Sequence, residues 1–141
     1  MSISEKDTSS VPENRLPLII TIYGRVMAGV MMILGLREWA IILGMADSPV
    51  GSFEAMSTPW KFATMHLAVV DLVASVGLWQ RVAWGNVVWI YAALAQIAMH
   101  TVFIGTFGSD FAIVALHVVT VAVFFVLIVM DKRASTAGKP S

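Results

Sequence analysis

Residues 60–81 of the chain are WKFATMHLAVVDLVASVGLWQR, an apolar segment of membrane-spanning length with a tryptophan near each end. The ionisable side chains His66 and Asp71 lie in its interior, and Lys61 and Arg81 lie at its ends. A carboxylate near the middle of a bilayer costs about 3 kcal/mol unless a polar partner compensates it. The segment therefore predicts a transmembrane helix whose Asp71 side is enclosed by other helices.

The composition of the whole chain is that of an integral membrane protein. Of its 141 residues, 58% are hydrophobic and 13% are charged, whereas a soluble domain is roughly 45–50% apolar. The formal net charge is zero, so the expected partner is the lipid bilayer and not a nucleic acid. The chain has no cysteine, which excludes disulfides, thiolate nucleophiles and cysteine-ligated metals.

Four apolar segments predict an all-α fold, an integral membrane bundle of four transmembrane helices. The predicted spans are residues 26–45, 60–80, 84–105 and 111–130. Each is close to the ~20 residues that a helix needs to cross the hydrocarbon core. Together they predict one transmembrane domain over residues 16–130.

The segments outside the spans are polar or broken by turn residues. Residues 1–15 are predicted to be a flexible cytoplasmic tail, and residues 131–141 a second cytoplasmic tail. Residues 46–59 contain proline and glycine, and we expect an outer loop with a short helix around residues 53–56. Arg25 is expected at the inner membrane boundary, where its long side chain reaches the headgroups.

Positively charged residues predict the orientation of the chain. With the amino terminus inside, six lie on the cytoplasmic side: Lys6, Arg15, Arg81, Lys132, Arg133 and Lys139. Only Lys61 lies near the outer face. This positive-inside bias predicts that both termini are cytoplasmic, in a bacterial inner membrane.

Polar side chains recur at one depth of the predicted bundle. The outer half contains one polar group or pair from each helix: Arg37 and Glu38, His66, His100, and His117. Asp71 lies nearer the midplane, and Gln96 lies one helical turn below His100. If these residues face inward, they form a layered polar core that is the candidate functional site of the protein.

Several interpretations of this polar core stay open. The polar groups can satisfy one another and fix the rotation and register of the helices. Alternatively, three imidazoles and a carboxylate can ligate a metal ion, or two histidines can ligate a haem iron. Histidine or arginine can also bind a quinone carbonyl between helices, and Glu38 or Asp71 can carry a proton in a small proton-coupled transporter.

The order of features along the chain resembles a known type of membrane protein. Gly24-Arg25-Val26 opens a glycine-rich first helix, a longer outer loop follows, and the second helix carries an acid and then Gly77-x-x-x-Arg81. This layout resembles small four-helix membrane proteins of the DoxX-like type, and more narrowly uncharacterised short integral membrane proteins of alphaproteobacteria. The resemblance extends over residues 24–130.

These observations favour a non-enzymatic role. Neither a serine hydrolase constellation, nor a glycine-rich phosphate loop, nor a glycosidase carboxylate pair is found in the sequence. We expect an accessory, structural or assembly component that associates with itself or with a larger membrane complex and binds no cofactor. The alternatives are a redox or quinone-interacting subunit that uses the outer-leaflet histidines, and a proton-coupled transporter.

Overall fold

A computed structural model of the protein describes residues 15–137. The described chain is all α, as predicted. Its elements are α1 (Leu16–Ile42), a 3-10 turn (Phe53–Ala55), α2 (Thr58–Gln80), α3 (Ala83–Thr101), α4 (Ile104–Phe107) and α5 (Phe111–Ala137). The predicted amino-terminal tail lies outside the described residues except for Arg15, as do residues 138–141 of the predicted carboxyl-terminal tail.

Three of the helices are long and apolar enough to cross a membrane. These are α1, α2 and α5, of 27, 23 and 27 residues. Helix α3, of 19 residues, is not one of these three, and it carries the polar residues Asn86, Gln96 and His100. The structure therefore supports a membrane protein with three candidate spans in its described part.

Local sequence explains where the helices begin and end. Pro17 and Pro59 lie in the first turns of α1 and α2, where a missing N–H costs nothing. The predicted tight turn after α2 is present, and Arg81 adopts a left-handed conformation in it, with φ 59°. At the start of α5 the Asp110 carboxylate accepts hydrogen bonds from the backbone N–H groups of Ala112 and Ile113, at 3.0 and 3.1 Å.

Some helix ends differ from the predicted spans. Helix α3 ends at Thr101 instead of residue 105, because the chain leaves helical geometry at Phe103 (φ −101°, ψ 33°) before the short helix α4. Helix α1 ends at Ile42 instead of residue 45, with Gly44 in a left-handed conformation. Helix α5 continues into residues 131–137, which were predicted to be tail. The predicted short helix in the outer loop is confirmed as one 3-10 turn.

The four long helices pack around a shared interior. Helix α1 contacts α2 and α5, α2 contacts α3, and α3 contacts α5. The tight turn at Arg81 returns α3 along the side of α2. Helix α5 contributes one buried residue, His117, so most of its apolar surface faces outward.

Glycines set the closest approaches between helices. A Cβ atom added to Gly85 of α3 would lie 2.6 Å from the Cα atom and from the carbonyl oxygen of Gly77 on α2. A Cβ atom added to Gly35 of α1 would lie 3.2 Å from the backbone nitrogen of Leu72 on α2. Small residues at these two crossings allow the backbones to approach closely, a common means of helix association in membranes.

The centre of the interior is an aromatic and aliphatic cluster around Trp89. This side chain is 2% exposed. Its ring makes edge contacts with Tyr23 of α1, at 6.4 Å between centroids, and with Phe124 of α5, at 5.4 Å. Trp89 therefore joins three helices through one side chain.

Candidate functional site

Asp71 lies at the interface between α1 and α2 and is 1% exposed. Its atom Oδ1 has no hydrogen-bond partner among the described residues. Ser75, one turn further along the same face of α2, donates a hydrogen bond of 2.8 Å to the carbonyl oxygen of Ala28 on α1. The burial expected for Asp71 is therefore found, but its carboxyl group has an unsatisfied oxygen.

A second carboxyl group lies near Asp71. Glu38 of α1 is close enough to Asp71 for their charges to interact. Its atom Oε1 also accepts a hydrogen bond of 2.9 Å from Arg37, and the two side chains are 15% and 47% exposed respectively. The α1–α2 interface thus contains two carboxyl groups, Glu38 and Asp71, which we call the acid pair. The Arg37 guanidinium binds Glu38 from the outer surface.

Three hydrogen bonds connect side chains to backbone carbonyls of neighbouring helices. Besides the Ser75 bond, Trp39 Nε1 donates to Ala68 O across the α1–α2 interface at 3.2 Å. Tyr23 Oη donates to Thr120 O on α5 at 2.6 Å. These bonds fix the rotation of the helices, which is the structural role expected of polar groups inside a membrane protein.

His66 and Arg37 lie on the outside of the molecule, which corrects the hypothesis that the whole polar layer faces inward. His66 is exposed on α2 and its Nε2 atom forms a hydrogen bond of 3.1 Å with the hydroxyl of Tyr91 on α3, which is also exposed. The physical reason is the rotation of α2, which points Asp71 and Ser75 toward α1 and so turns His66 away from that interface.

His100 and His117 are buried, and each binds a carbonyl with its Nδ1 atom. The His100 partner is Gly108 O, at 3.2 Å, and the His117 partner is Ile113 O, at 2.8 Å. Because a carbonyl only accepts, Nδ1 carries the proton in both rings and Nε2 of the neutral ring keeps its lone pair. Haem ligation through these two Nε2 atoms, and quinone binding, stay predictions.

The structure does not bring the three histidines together. Within residues 15–137, no group of three or more histidine, aspartate or glutamate side chains is arranged to hold a metal ion. A metal site of three imidazoles and a carboxylate therefore does not fit this arrangement. Gln96, the last residue of the predicted site, is half-buried on α3.

Replacing Asp71 with asparagine is expected to stabilise the protein by about 2 kcal/mol, because it removes the cost of ionising a buried carboxyl group that has a second carboxyl group nearby. The measurement is denaturation in detergent micelles, followed by circular dichroism. The matched control on the same face is Ser75→Ala, which loses an interhelical hydrogen bond and is expected to destabilise by about 1 kcal/mol. A loss of stability in Asp71→Asn would show that the carboxyl group holds the two helices together.

Sequence reasoning missed several residues that shape this region. Tyr23, Trp39 and Tyr91 supply hydrogen bonds between helices, yet aromatic residues in a membrane chain are first interpreted as interface or packing residues. The signal available was their polar atoms, since the O–H of a tyrosine and the N–H of a tryptophan within an apolar helix need hydrogen-bond partners.

A model of a protein family of unknown function, DUF6163, matches residues 18–135 of the chain. This range includes all four long helices almost completely. No curated protein and no solved structure matches the chain. The chain therefore belongs to the DUF6163 family of unknown function.

Proposed function

We propose that this protein is a four-span, DoxX-like component of a bacterial inner membrane, with both termini in the cytoplasm, that acts as a non-enzymatic accessory or assembly subunit. Its partner is a second copy of the chain or a larger membrane complex. Two contacts support the membrane placement. Arg25 lies over the ring of Trp79 at 5.5 Å, so residues expected at the inner boundary from α1 and α2 meet. Lys61 lies over Phe53 at 5.9 Å near the expected outer boundary.

Helix α3 is proposed as the fourth span, although it is not among the three helices identified as candidate spans. The chain reverses direction at Arg81, before α3 begins, and α3 then packs against α2 and α5. Its polar residue His100 is buried and hydrogen-bonded to Gly108, so that side chain does not face lipid. Contact with two spanning helices supports the view that α3 crosses the membrane beside them.

The observation that carries the proposed assembly role is the presence of polar pairs on the outer surface of apolar helices. Arg37, five residues before α1 ends, is 47% exposed and pairs with Glu38. His66 and Tyr91 form a second exposed pair, on α2 and α3. Polar groups at membrane depth are costly against lipid and usually face protein, so these two pairs fit contact with another subunit.

Blue native electrophoresis of native membranes tests this role. The wild-type protein is expected to migrate in an assembly larger than one copy. The double variant Arg37→Leu/Glu38→Leu removes one outer pair without leaving an unpaired charge, and it is expected to lower the assembled fraction at least about tenfold. His66→Leu removes the second outer pair and is also expected to lower the assembled fraction.

Matched controls use outward-facing apolar residues on the same helices. Ile33 of α1 is 68% exposed and Val69 of α2 is 53% exposed. Ile33→Ala and Val69→Ala should leave the assembled fraction unchanged. Wild-type protein that migrates as a single copy in native membranes would contradict the proposed role.

The acid pair favours a second candidate function, a small proton-coupled transporter. The unsatisfied Oδ1 atom of Asp71, close to Glu38, is an arrangement suited to holding a proton inside the membrane. In proteoliposomes with an enclosed pH dye, Asp71→Asn should then abolish proton flux driven by a pH gradient. Flux that persists in this variant would exclude the transporter.

A further inference from the structure

An apolar groove of about 360 Å³ lies on the outer surface between α1 and α2. This volume is in the range of roughly 300–1,000 Å³ that is usual for ligand clefts. The groove is lined from α1 by Ala28, Gly29 and Met32, and from α2 by Val76, Trp79 and Gln80. It lies in the half of the helix pair that ends at the α2–α3 turn.

The floor of the groove presents almost no polar group to a ligand. The hydroxyl of Ser75, which also lines it, is already used in the hydrogen bond to Ala28 O. Gly29 leaves open space, since a Cβ atom added there would meet nothing within 4 Å. The groove can therefore accept a flexible hydrocarbon chain along its length.

One end of the groove is positively charged. Arg25 precedes Gly29 by one helical turn, so both residues lie on the same face of α1. The Arg25 guanidinium stacks on Trp79 and has no hydrogen bond or ion pair with another residue in the range 15–137. Its N–H groups are free to bind an oxyanion, and Arg81 in the exposed turn adds a second positive charge nearby.

We propose that this groove binds one anionic phospholipid, with its phosphate at Arg25 and an acyl chain against Gly29, Met32 and Val76. Trp79 and Gln80, which line the groove, follow Val76 toward the α2–α3 turn, and their side chains carry further hydrogen-bond donors. The inference rests on the proposed placement of this end at the cytoplasmic membrane surface, where anionic lipids and an arginine–tryptophan pair both belong.

Charge distinguishes this occupant from a helix of a second copy. A helix would fit the small residues Ala28 and Gly29, but it would leave the unpaired Arg25 guanidinium at the edge of the interface without a partner. A single phospholipid molecule can fill the apolar groove with its acyl chain and neutralise Arg25 with its phosphate. The combination of an apolar groove and a free guanidinium at one end therefore favours the lipid.

Native mass spectrometry of the full-length protein in mild detergent tests the site, with dioleoylphosphatidylglycerol and dioleoylphosphatidylcholine as probes. The wild type is expected to retain phosphatidylglycerol about fivefold better than phosphatidylcholine. Gly29→Leu fills the groove and is expected to lower phosphatidylglycerol retention about tenfold. Arg25→Gln removes the charge and should make retention of the two lipids equal.

The matched control is Gly24→Leu, on the same helix outside the groove and also free of contacts at its Cβ position; it should retain the lipid like the wild type. Leucine favours a helix over glycine, so Gly29→Leu keeps its fold, and circular dichroism checks this. Equal retention in Gly29→Leu and Gly24→Leu would overturn the proposal. A wild-type dimer that Gly29→Leu splits, with unchanged lipid retention, would also overturn it and assign the groove to a second copy.

Failure of the lipid site is separate from failure of the assembly role. The Arg37→Leu/Glu38→Leu variant leaves the groove intact and should retain phosphatidylglycerol like the wild type. Loss of assembly in that variant, with lipid retention preserved, supports both proposals. Gly29→Leu with normal assembly and lost lipid retention supports the lipid site alone.

Discussion

Replacing Gly77 with leucine is expected to cost about 3 kcal/mol or more of folding stability. A side chain at Gly77 would enter the backbone of Gly85 on α3, and it would lie 2.6 Å from atom Cζ3 of the Trp84 ring. Backbone atoms at a helix crossing cannot move aside without separating α2 from α3. The helix propensity gained by replacing glycine, about 1 kcal/mol, is smaller than this steric cost.

Stability of the Gly77→Leu variant is measured by titration with sodium dodecyl sulfate in mixed micelles, with helicity followed by circular dichroism. Gly24→Leu is the control, because a Cβ atom at Gly24 meets nothing within 4 Å. The control should be as stable as the wild type or slightly more stable. If both variants unfold at the same detergent fraction, α2 and α3 do not cross at Gly77.

Replacing Trp89 with alanine is the second change with a large expected effect, a loss of about 3–5 kcal/mol. Trp89 is 2% exposed and its ring contacts Tyr23 and Phe124 on two other helices. Its removal leaves a cavity at the point where α1, α3 and α5 meet. The side chains that line this cavity are held by their own helices and cannot collapse fully into the space.

The same micelle titration measures Trp89→Ala, and Trp79→Ala is its control. Trp79 is 61% exposed, so its removal creates no internal cavity and should change stability by less than about 1 kcal/mol. A Trp89→Ala variant as stable as the Trp79→Ala variant would contradict the position of Trp89 at the centre of the fold.

The fold was largely predictable from local signals in the sequence. Apolar length predicted the helices, Gln80 to Ala83 predicted a tight turn, and residues 53–56 predicted a short helix that is present as a 3-10 turn. Asp71 was expected to be enclosed and is buried. These features depend on chain length, turn chemistry and the cost of a buried charge, all of which a sequence carries directly.

The faces of the helices were not predictable, and for this reason the candidate site differs from the expected layer. Helices that are apolar on all sides have no hydrophobic stripe to identify the inner face. His66 and His100 lie at similar predicted depths, yet one is exposed and the other is buried. Gly77 and Gly85 approach closely across the turn between α2 and α3, and this contact limits how the two helices pack. The apolar pattern of either helix alone does not reveal it.

The carboxyl-terminal end of α3 was also not predictable from the sequence. Residues 102–105 continue the apolar run, so the predicted span extended through them. The helix ends at Thr101 because the backbone at Phe103 leaves helical geometry. The chain then forms the short helix α4. After α4, the carbonyl oxygen of Gly108 accepts a hydrogen bond from His100 Nδ1. The apolar pattern of the sequence does not reveal this contact between loop and helix.

The central claim is that four helices cross the membrane, with α3 among them. It is tested most directly by measuring on which side of the membrane each connecting segment lies. The chain has no native cysteine, so single cysteines can be labelled without background. Suitable exposed positions are Ser52, Ala83, Thr106 and Ser135. In spheroplasts, a membrane-impermeant maleimide should label Ser52→Cys and Thr106→Cys, whereas Ala83→Cys and Ser135→Cys should react only after permeabilisation. Labelling of Ala83→Cys and Thr106→Cys from the same side would contradict the four-span account.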